Sequence, residues 1–174
     1  IKYANTAQIS IENCRLSRPQ AVGNRDSGYL LLSQTLDIGR TLIAAIEVGI
    51  AQAAYQLVLK YAREREQFGR PIYTNQGISF HITSMATSIA AARLMVWRAC
   101  DLIDREEDFT QASSMAKMFA SEVAQSVTAG AIDIIGAAAY DTNNIANVYF
   151  RDAKVCSIVG GTTNIQKMII SSLL

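Results

Sequence analysis

The stretch Leu36–Tyr61, LDIGRTLIAAIEVGIAQAAYQLVLKY, decides the fold class. Within it Leu36, Ile43, Ile46, Ile50, Ala53, Leu57 and Tyr61 recur at spacings of three, four or seven. That spacing lays one apolar stripe along a long helix. The helical pattern opens near Leu30. Gly69 and Pro71 are expected to end it, because glycine caps helices and proline cannot continue them. A second helix is expected from about Gln76 to Asp104, carrying Ile78, Ile82, Met85, Ile89, Ala92, Met95 and Val96. The charged run Arg105-Glu106-Glu107-Asp108 reads as a solvated turn. A third helix is expected from about Gln111 to Ile135, with Met115, Met118, Phe119, Val123, Val127 and Ile134, and Gly136 breaks it. Two shorter helices follow, near Ile145–Ser157 and Thr162–Ser171, with Thr162 a natural N-cap after Gly160-Gly161. Long helices joined by short connections lie antiparallel. The expectation is an all-α chain with an antiparallel four-helix bundle over residues 29–174.

The first 28 residues read differently. Ala7-Gln8-Ile9-Ser10-Ile11-Glu12 alternates small or apolar with polar residues, as a half-buried strand does. Ser17-Arg18-Pro19 and Gly23-Asn24-Arg25-Asp26-Ser27-Gly28 are turn-forming. Residues 1–28 are therefore expected to be the tail of a preceding β domain and a linker. The chain has 174 residues, a formal net charge of +1 and three widely spaced cysteines, Cys14, Cys100 and Cys156. The balanced charge gives no basic face for nucleic acid. An odd cysteine count without clustering suggests neither a disulfide framework nor a zinc site, and a reducing compartment is the default. Arg, Glu, Asp or Gln interrupts every apolar run, so no membrane span is expected. The first residues do not read as a signal peptide. The single histidine, His81, lies among Ile, Phe and Met and reads as structural.

Five segments, in order, resemble the acyl-CoA dehydrogenase family. Leu36-Asp37-Ile38-Gly39-Arg40 resembles the start of the first long helix of its C-terminal domain. Arg65-Glu66-Gln67-Phe68-Gly69-Arg70-Pro71-Ile72 with Gln76 resembles its R-x-x-F-G-x-x-I…Q element. Ala116-Lys117-Met118-Phe119-Ala120 resembles A-K-x-F-A on the third helix. Tyr149-Phe150-Arg151-Asp152-Ala153-Lys154 resembles its Y-R-D-A-K segment, and Gly161-Thr162-Thr163-Asn164-Ile165-Gln166 its closing G-T-x-x-I-Q.

The resemblance implies a flavin-dependent oxidoreductase. A base removes the proton α to a thioester carbonyl while the β hydrogen leaves as hydride to FAD. It also implies electron-transfer flavoprotein as the electron acceptor, and a homotetramer or a heteromer with a glutamate-bearing homologue. Bacterial or archaeal cytoplasm and mitochondrial matrix both suit that chemistry. By the same resemblance, Arg65 contacts the anionic FAD of a neighbouring subunit with its guanidinium fork. Phe68 packs on the adenine part, and Gln67, Ile72 and Gln76 lie nearby. Thr162 and Asn164 approach the flavin from a helix N-terminus, which offers free N–H groups. Asp37 and Arg40 lie near the acyl-CoA entrance. Read from the residues alone, they make a surface ion pair at i, i+3.

The chain departs from the family where the chemistry is concentrated. The usual glutamate base precedes the G-T pair, and Gly160 stands there. A minority of members carry it before the arginine of the first helix, and Gly39 stands there. A general base typically contributes roughly 10²–10⁴-fold. Gly160 keeps a backbone N–H that, with Gly161, could still polarise a thioester carbonyl. The family's glutamine and G-G-x-G turn, which receive the diphosphate end of FAD, become Asp133 and Gly136-Ala137-Ala138-Ala139. A carboxylate there opposes a pyrophosphate, and alanine methyls limit backbone approach. The residues therefore leave several readings open. One is a dehydrogenase whose base comes from elsewhere. Another is a base-less partner of a glutamate-bearing homologue in a heteromer. The others are a flavin monooxygenase or oxidase on the same scaffold, and a purely structural helical domain.

Overall fold

A computed structural model of the chain describes residues 7–24 and 26–174. Among the described residues five α-helices follow one another: α1 (Gly28–Glu64), α2 (Gln76–Asp104), α3 (Thr110–Ile135), α4 (Ile145–Cys156) and α5 (Thr163–Ser172). Between α1 and α2 lies a hairpin of two short antiparallel strands, β1 (Glu66–Gln67) and β2 (Arg70–Pro71).

The bundle's register can be read from three side-chain bonds between α1 and α3. Thr110 Oγ1 donates to Asp37 at 3.1 Å, Ser121 Oγ to Glu47 at 2.6 Å, and Tyr61 OH to the Ile135 carbonyl at 3.4 Å. The partners stay 73 or 74 residues apart, so α1 and α3 run parallel as the diagonal pair of an up–down bundle. The intervening α2 returns antiparallel between them. Lys154 meets Gln125 and Asn144 meets the Ala138 carbonyl, which makes α4 antiparallel to α3. With α5 it forms the fourth, broken, element.

Alanine dominates the contact surfaces. Ala44, Ala51, Ala54 and Ala62 of α1, Ala92 and Ala99 of α2, and Ala116 and Ala124 of α3 are all wholly buried. Alanine has the best helix propensity and lets helix backbones approach closely. The buried face of α1 is therefore rotated from the expected stripe. Asp37, Ala44, Ala51, Ala54, Val58 and Ala62 are buried, each one residue after a member of that stripe. Leu36 and Ile46 are instead exposed, at 41% and 51%. On α2 the expected face holds, with Ile82, Met85, Ile89, Ala92 and Val96 buried.

Three further expectations change. First, α1 ends at Glu64, before Gly69, because Arg65 turns extended (φ −74°, ψ 122°) and the chain pairs with itself as the hairpin. Second, Ala7–Glu12 forms no strand and is exposed throughout; among the described residues it has no partner strand to supply the ladder. Third, α1 and the segment Thr110–Tyr140 are long and apolar enough to cross a membrane by length and composition. Here both are central helices of the bundle, packed on each other through a buried seam of polar groups.

Candidate active site

The loop between α4 and α5 carries Gly160, the position at which the resemblance leads one to expect a glutamate. Gly160 and Gly161 both take left-handed conformations (φ 67° and 95°), which glycine alone adopts without strain. A Cβ on Gly160 would lie 2.3 Å from Ile43 Cδ1 of α1, and one on Gly161 2.8 Å from Gln166 Nε2. The wholly buried Gln166 holds the loop by donating to the Gly160 and Gly161 carbonyls at 3.3 and 3.0 Å. Thr162 then caps α5, accepting from the Ile165 N–H at 3.4 Å. Thr162 and Asn164 are exposed, so the helix start faces outward, with the free N–H groups of its first turn.

The other position, Gly39, sits within α1 with no atom inside 4 Å of an added Cβ. Nearby, Asp37 and Arg40 are not a surface pair: they are 7% and 8% exposed and bond directly to each other, and Thr110 of α3 donates to the Asp37 carboxylate. Their place fixes the start of α1 on α3.

The hairpin after α1 forms a second locus. Phe68 and Gly69 both have positive φ (53° and 75°), as a mirror-image two-residue turn requires. This holds the Phe68 side chain out at 98% exposure. Arg65, Gln67 and Gln76 are exposed and Ile72 half-buried; the Ile72 N–H donates to the Arg65 carbonyl at 2.8 Å. Asp133, Gly136 and Ala137 are also exposed, and the Tyr61–Ile135 bond places them at the same end of the bundle. Ile43, against the Gly160 loop, and Arg65, at the hairpin, are 22 residues apart along α1. At 1.5 Å per residue that is about 33 Å. The two sets of expected flavin contacts therefore lie at different places on one chain.

A cluster that sequence reading missed lies behind the Gly160 loop. Glu47 of α1 and Lys117 of α3 are wholly buried. Ser121 Oγ donates to Glu47 Oε1 at 2.6 Å, while Glu47 Oε2 and Lys117 Nζ have no hydrogen-bond partner among the described residues. Burial pushes the Glu47 carboxyl from its ordinary 4.5 up to about 7, against the Ser121 bond and the positive charge of Lys117. Burial likewise lowers the Lys117 pKa, partly offset by Glu47 and Cys156. The buried Cys156 thiol is raised, first by burial and then by Glu47 and Asp152. The available signal was a single acid in the apolar run Leu42–Ile50, one turn after Ile43. On the opposite side of α1, Ala45, Gly49 and Gln52 line a groove of about 360 Å³ against Arg93 and Trp97 of α2. Arg93 there donates to Gln52 at 2.8 Å.

Comparison with known proteins gives this scaffold its class. Residues 26–174 match the family model "Acyl-CoA dehydrogenase, C-terminal domain". The chain belongs to the acyl-CoA dehydrogenase family. It is 40% identical over its whole length to the mitochondrial short-chain specific acyl-CoA dehydrogenase of Rattus norvegicus, covering 42% of that protein. It is 37% identical to the CarC subunit of the caffeyl-CoA reductase-Etf complex of Acetobacterium woodii, over 97% of this chain and 45% of that one. Among solved structures, butyryl-CoA dehydrogenase from Megasphaera elsdenii superposes with a TM-score of 0.86 at 36% identity, over 87% of this chain and 39% of that one. The chain thus spans less than half the length of the relatives it matches.

Proposed function

We propose that this chain is the C-terminal helical part of an FAD-dependent oxidoreductase that dehydrogenates an acyl-CoA thioester between its α and β carbons. The observation that carries the reading is the pair of separated loci on one family scaffold. The hairpin presents a guanidinium and an almost fully exposed aromatic ring (Arg65, Phe68), and the Gly160–Asn164 loop presents a capped helix start some 33 Å away. Exposed aromatic and cationic groups suit a dinucleotide's ring and pyrophosphate; the exposed Asp133 opposes the latter. The spacing fits a flavin shared between two chains, Arg65 and Phe68 reaching the partner's cofactor while Thr162 and Asn164 face their own. Bound FAD would supply the hydride acceptor. Gly160 and Gly161 would offer backbone N–H groups to the thioester oxygen. The alternating sequence of Ala7–Glu12 would suit the tail of a β domain, although the segment forms no strand on its own.

The relatives extend the reading. An Etf-complex subunit among them supports electron-transfer flavoprotein as the acceptor, and relatives from mitochondria and from bacteria leave both compartments suitable. The exposed Leu42 and Ile46 (61% and 51%) on the outer side of α1 suit a homotetramer. A second reading, a base-less subunit paired with a glutamate-bearing homologue, is favoured by one observation: Ile43 fills the space beside Gly160. The test is an anaerobic titration of the full-length protein with a panel of acyl-CoAs, followed by flavin absorbance. Bleaching by one of them is expected. Flavin that stays oxidised with all of them, and bleaches only when a homologous subunit is added, supports the second reading instead.

A further inference from the structure

We propose that Glu47 is the proton acceptor serving the Gly160 site in place of the glutamate this chain lacks there, reached through water bound between α1, α3 and α5. This rests on the dehydrogenase reading above.

Placement is the first ground. Ile43 Cδ1 touches the position of a Cβ on Gly160, and Glu47 lies one turn further along the same side of α1, about 6 Å on. Cys156, four residues before Gly160, feels the charge of Glu47. The loop is also held from behind by Gln166, whose helix α5 packs on α3, the helix that carries Lys117.

Unpaired polar atoms are the second ground. Glu47 Oε2, Lys117 Nζ and Gln166 Oε1 are buried without a hydrogen-bond partner among the described residues, as are Thr41 Oγ1, Ser114 Oγ and Arg40 Nε. They come from α1, α3 and α5. Buried polar atoms are ordinarily paired with protein or with ordered water, and a water needs two to four such partners. Lys117 Nζ as donor and Glu47 Oε2 as acceptor, which feel each other's charge, would provide two of them.

The charges are consistent with an acceptor. Lys117 and Ser121 face Glu47 from α3, and Cys156, with Asp152 beyond it, from α4; the Arg40–Asp37 pair lies about two turns earlier on α1. Burial sets the carboxyl near neutrality, where a general base operates best. In the reaction the α C–H bond breaks and its electron pair forms the new C=C bond. Bound FAD would accept the β hydrogen with its electron pair. The α proton passes to water, and a proton from that water passes to Glu47 Oε2, leaving the Glu47 carboxyl neutral.

The test uses the full-length, flavin-loaded protein and its reduction by the most effective acyl-CoA, measured anaerobically by stopped flow between pH 5.5 and 9. The wild-type rate is expected to rise through about pH 7. Glu47→Gln is expected to slow it by roughly 100-fold or more and to lose that limb. Ser121→Ala, which removes a bond favouring the ionised form, is expected to move the limb to higher pH. Carbon-13 NMR of the flavin-free protein gives a second readout: the carboxyl signal missing in Glu47→Gln should titrate near neutrality and shift its midpoint when acyl-CoA binds. A Glu47→Gln protein with the wild-type rate and limb overturns this proposal and leaves the dehydrogenase reading standing. So does an unmoved limb in Ser121→Ala, or a Glu47 midpoint that ignores the ligand. Flavin that no acyl-CoA reduces in the wild type overturns the dehydrogenase reading, and this proposal with it.

Discussion

Two glycines and a buried acid carry opposite consequences. At Gly160, a glutamate would face a left-handed backbone and Ile43 Cδ1 at 2.3 Å. Holding a non-glycine residue in that conformation costs on the order of 1–3 kcal/mol. At Gly39 the space is open and the backbone helical, and replacing glycine within a helix gains about 1 kcal/mol. Gly39→Glu is therefore expected to raise the melting temperature or leave it unchanged, and Gly160→Glu to lower it unless combined with Ile43→Ala; calorimetry of the three variants checks this. Glu47 makes stability depend on pH. Its folded pKa, about 7, lies above the ordinary 4.5, so the folded state binds the extra proton between those values. The stabilisation is complete below about pH 4.5 and declines as pH rises to about 7, by about 3 kcal/mol in all. Urea unfolding at pH 5 and pH 8 is expected to show that decline in the wild type and its absence in Glu47→Gln. Both glycines were legible in the sequence as departures from a pattern. Glu47 was not, because one acid in an apolar run does not disclose whether it faces solvent or a buried lysine on another helix.

The packing of α1 shows where periodicity succeeds and where it fails. On α2 the large apolar residues are the core, and their spacing identifies the buried face. On α1 alanines and polar groups are buried while Leu36, Leu42 and Ile46 lie outside. A stripe read from residue size is then turned by one position, about 100°. The reason is close approach: the parallel α1–α3 contact uses small side chains, and larger ones fit only at its edges. Ala51, wholly buried, has no room to grow, so Ala51→Leu is expected to destabilise the fold by about 1–3 kcal/mol. Ile46→Ala, on the exposed side, is expected to change the stability of the isolated bundle far less. Chemical denaturation of the two variants distinguishes this packing from the one the stripe suggests. The hairpin was legible only as a helix end. Gly69 and Pro71 announced a break, but self-pairing of Glu66 with Pro71 depends on two successive left-handed residues, and phenylalanine is not an expected one.

At the scale of the molecule, helix order and bundle type were readable from apolar spacing and helix breakers, and the family from five short segments in order. The site was readable only in part. Arg65, Phe68, Thr162 and Asn164 are all exposed, but about 33 Å of helix separates the two groups, and no local pattern reveals that distance. On the proposed function, association between chains would bridge it, and the seam of buried polar groups would supply the proton acceptor that Gly160 lacks. On the proposed function, removal of the α proton survives without a glutamate at 39 or 160. It is tested most directly with an acyl-CoA analogue whose β carbon is replaced by sulfur, so that no hydride can leave. Incubated in D₂O with the full-length protein, this analogue is expected to exchange its α hydrogens for deuterium, faster as pH passes 7, and far more slowly with Glu47→Gln. Exchange by the wild type no faster than in buffer alone would contradict the claim.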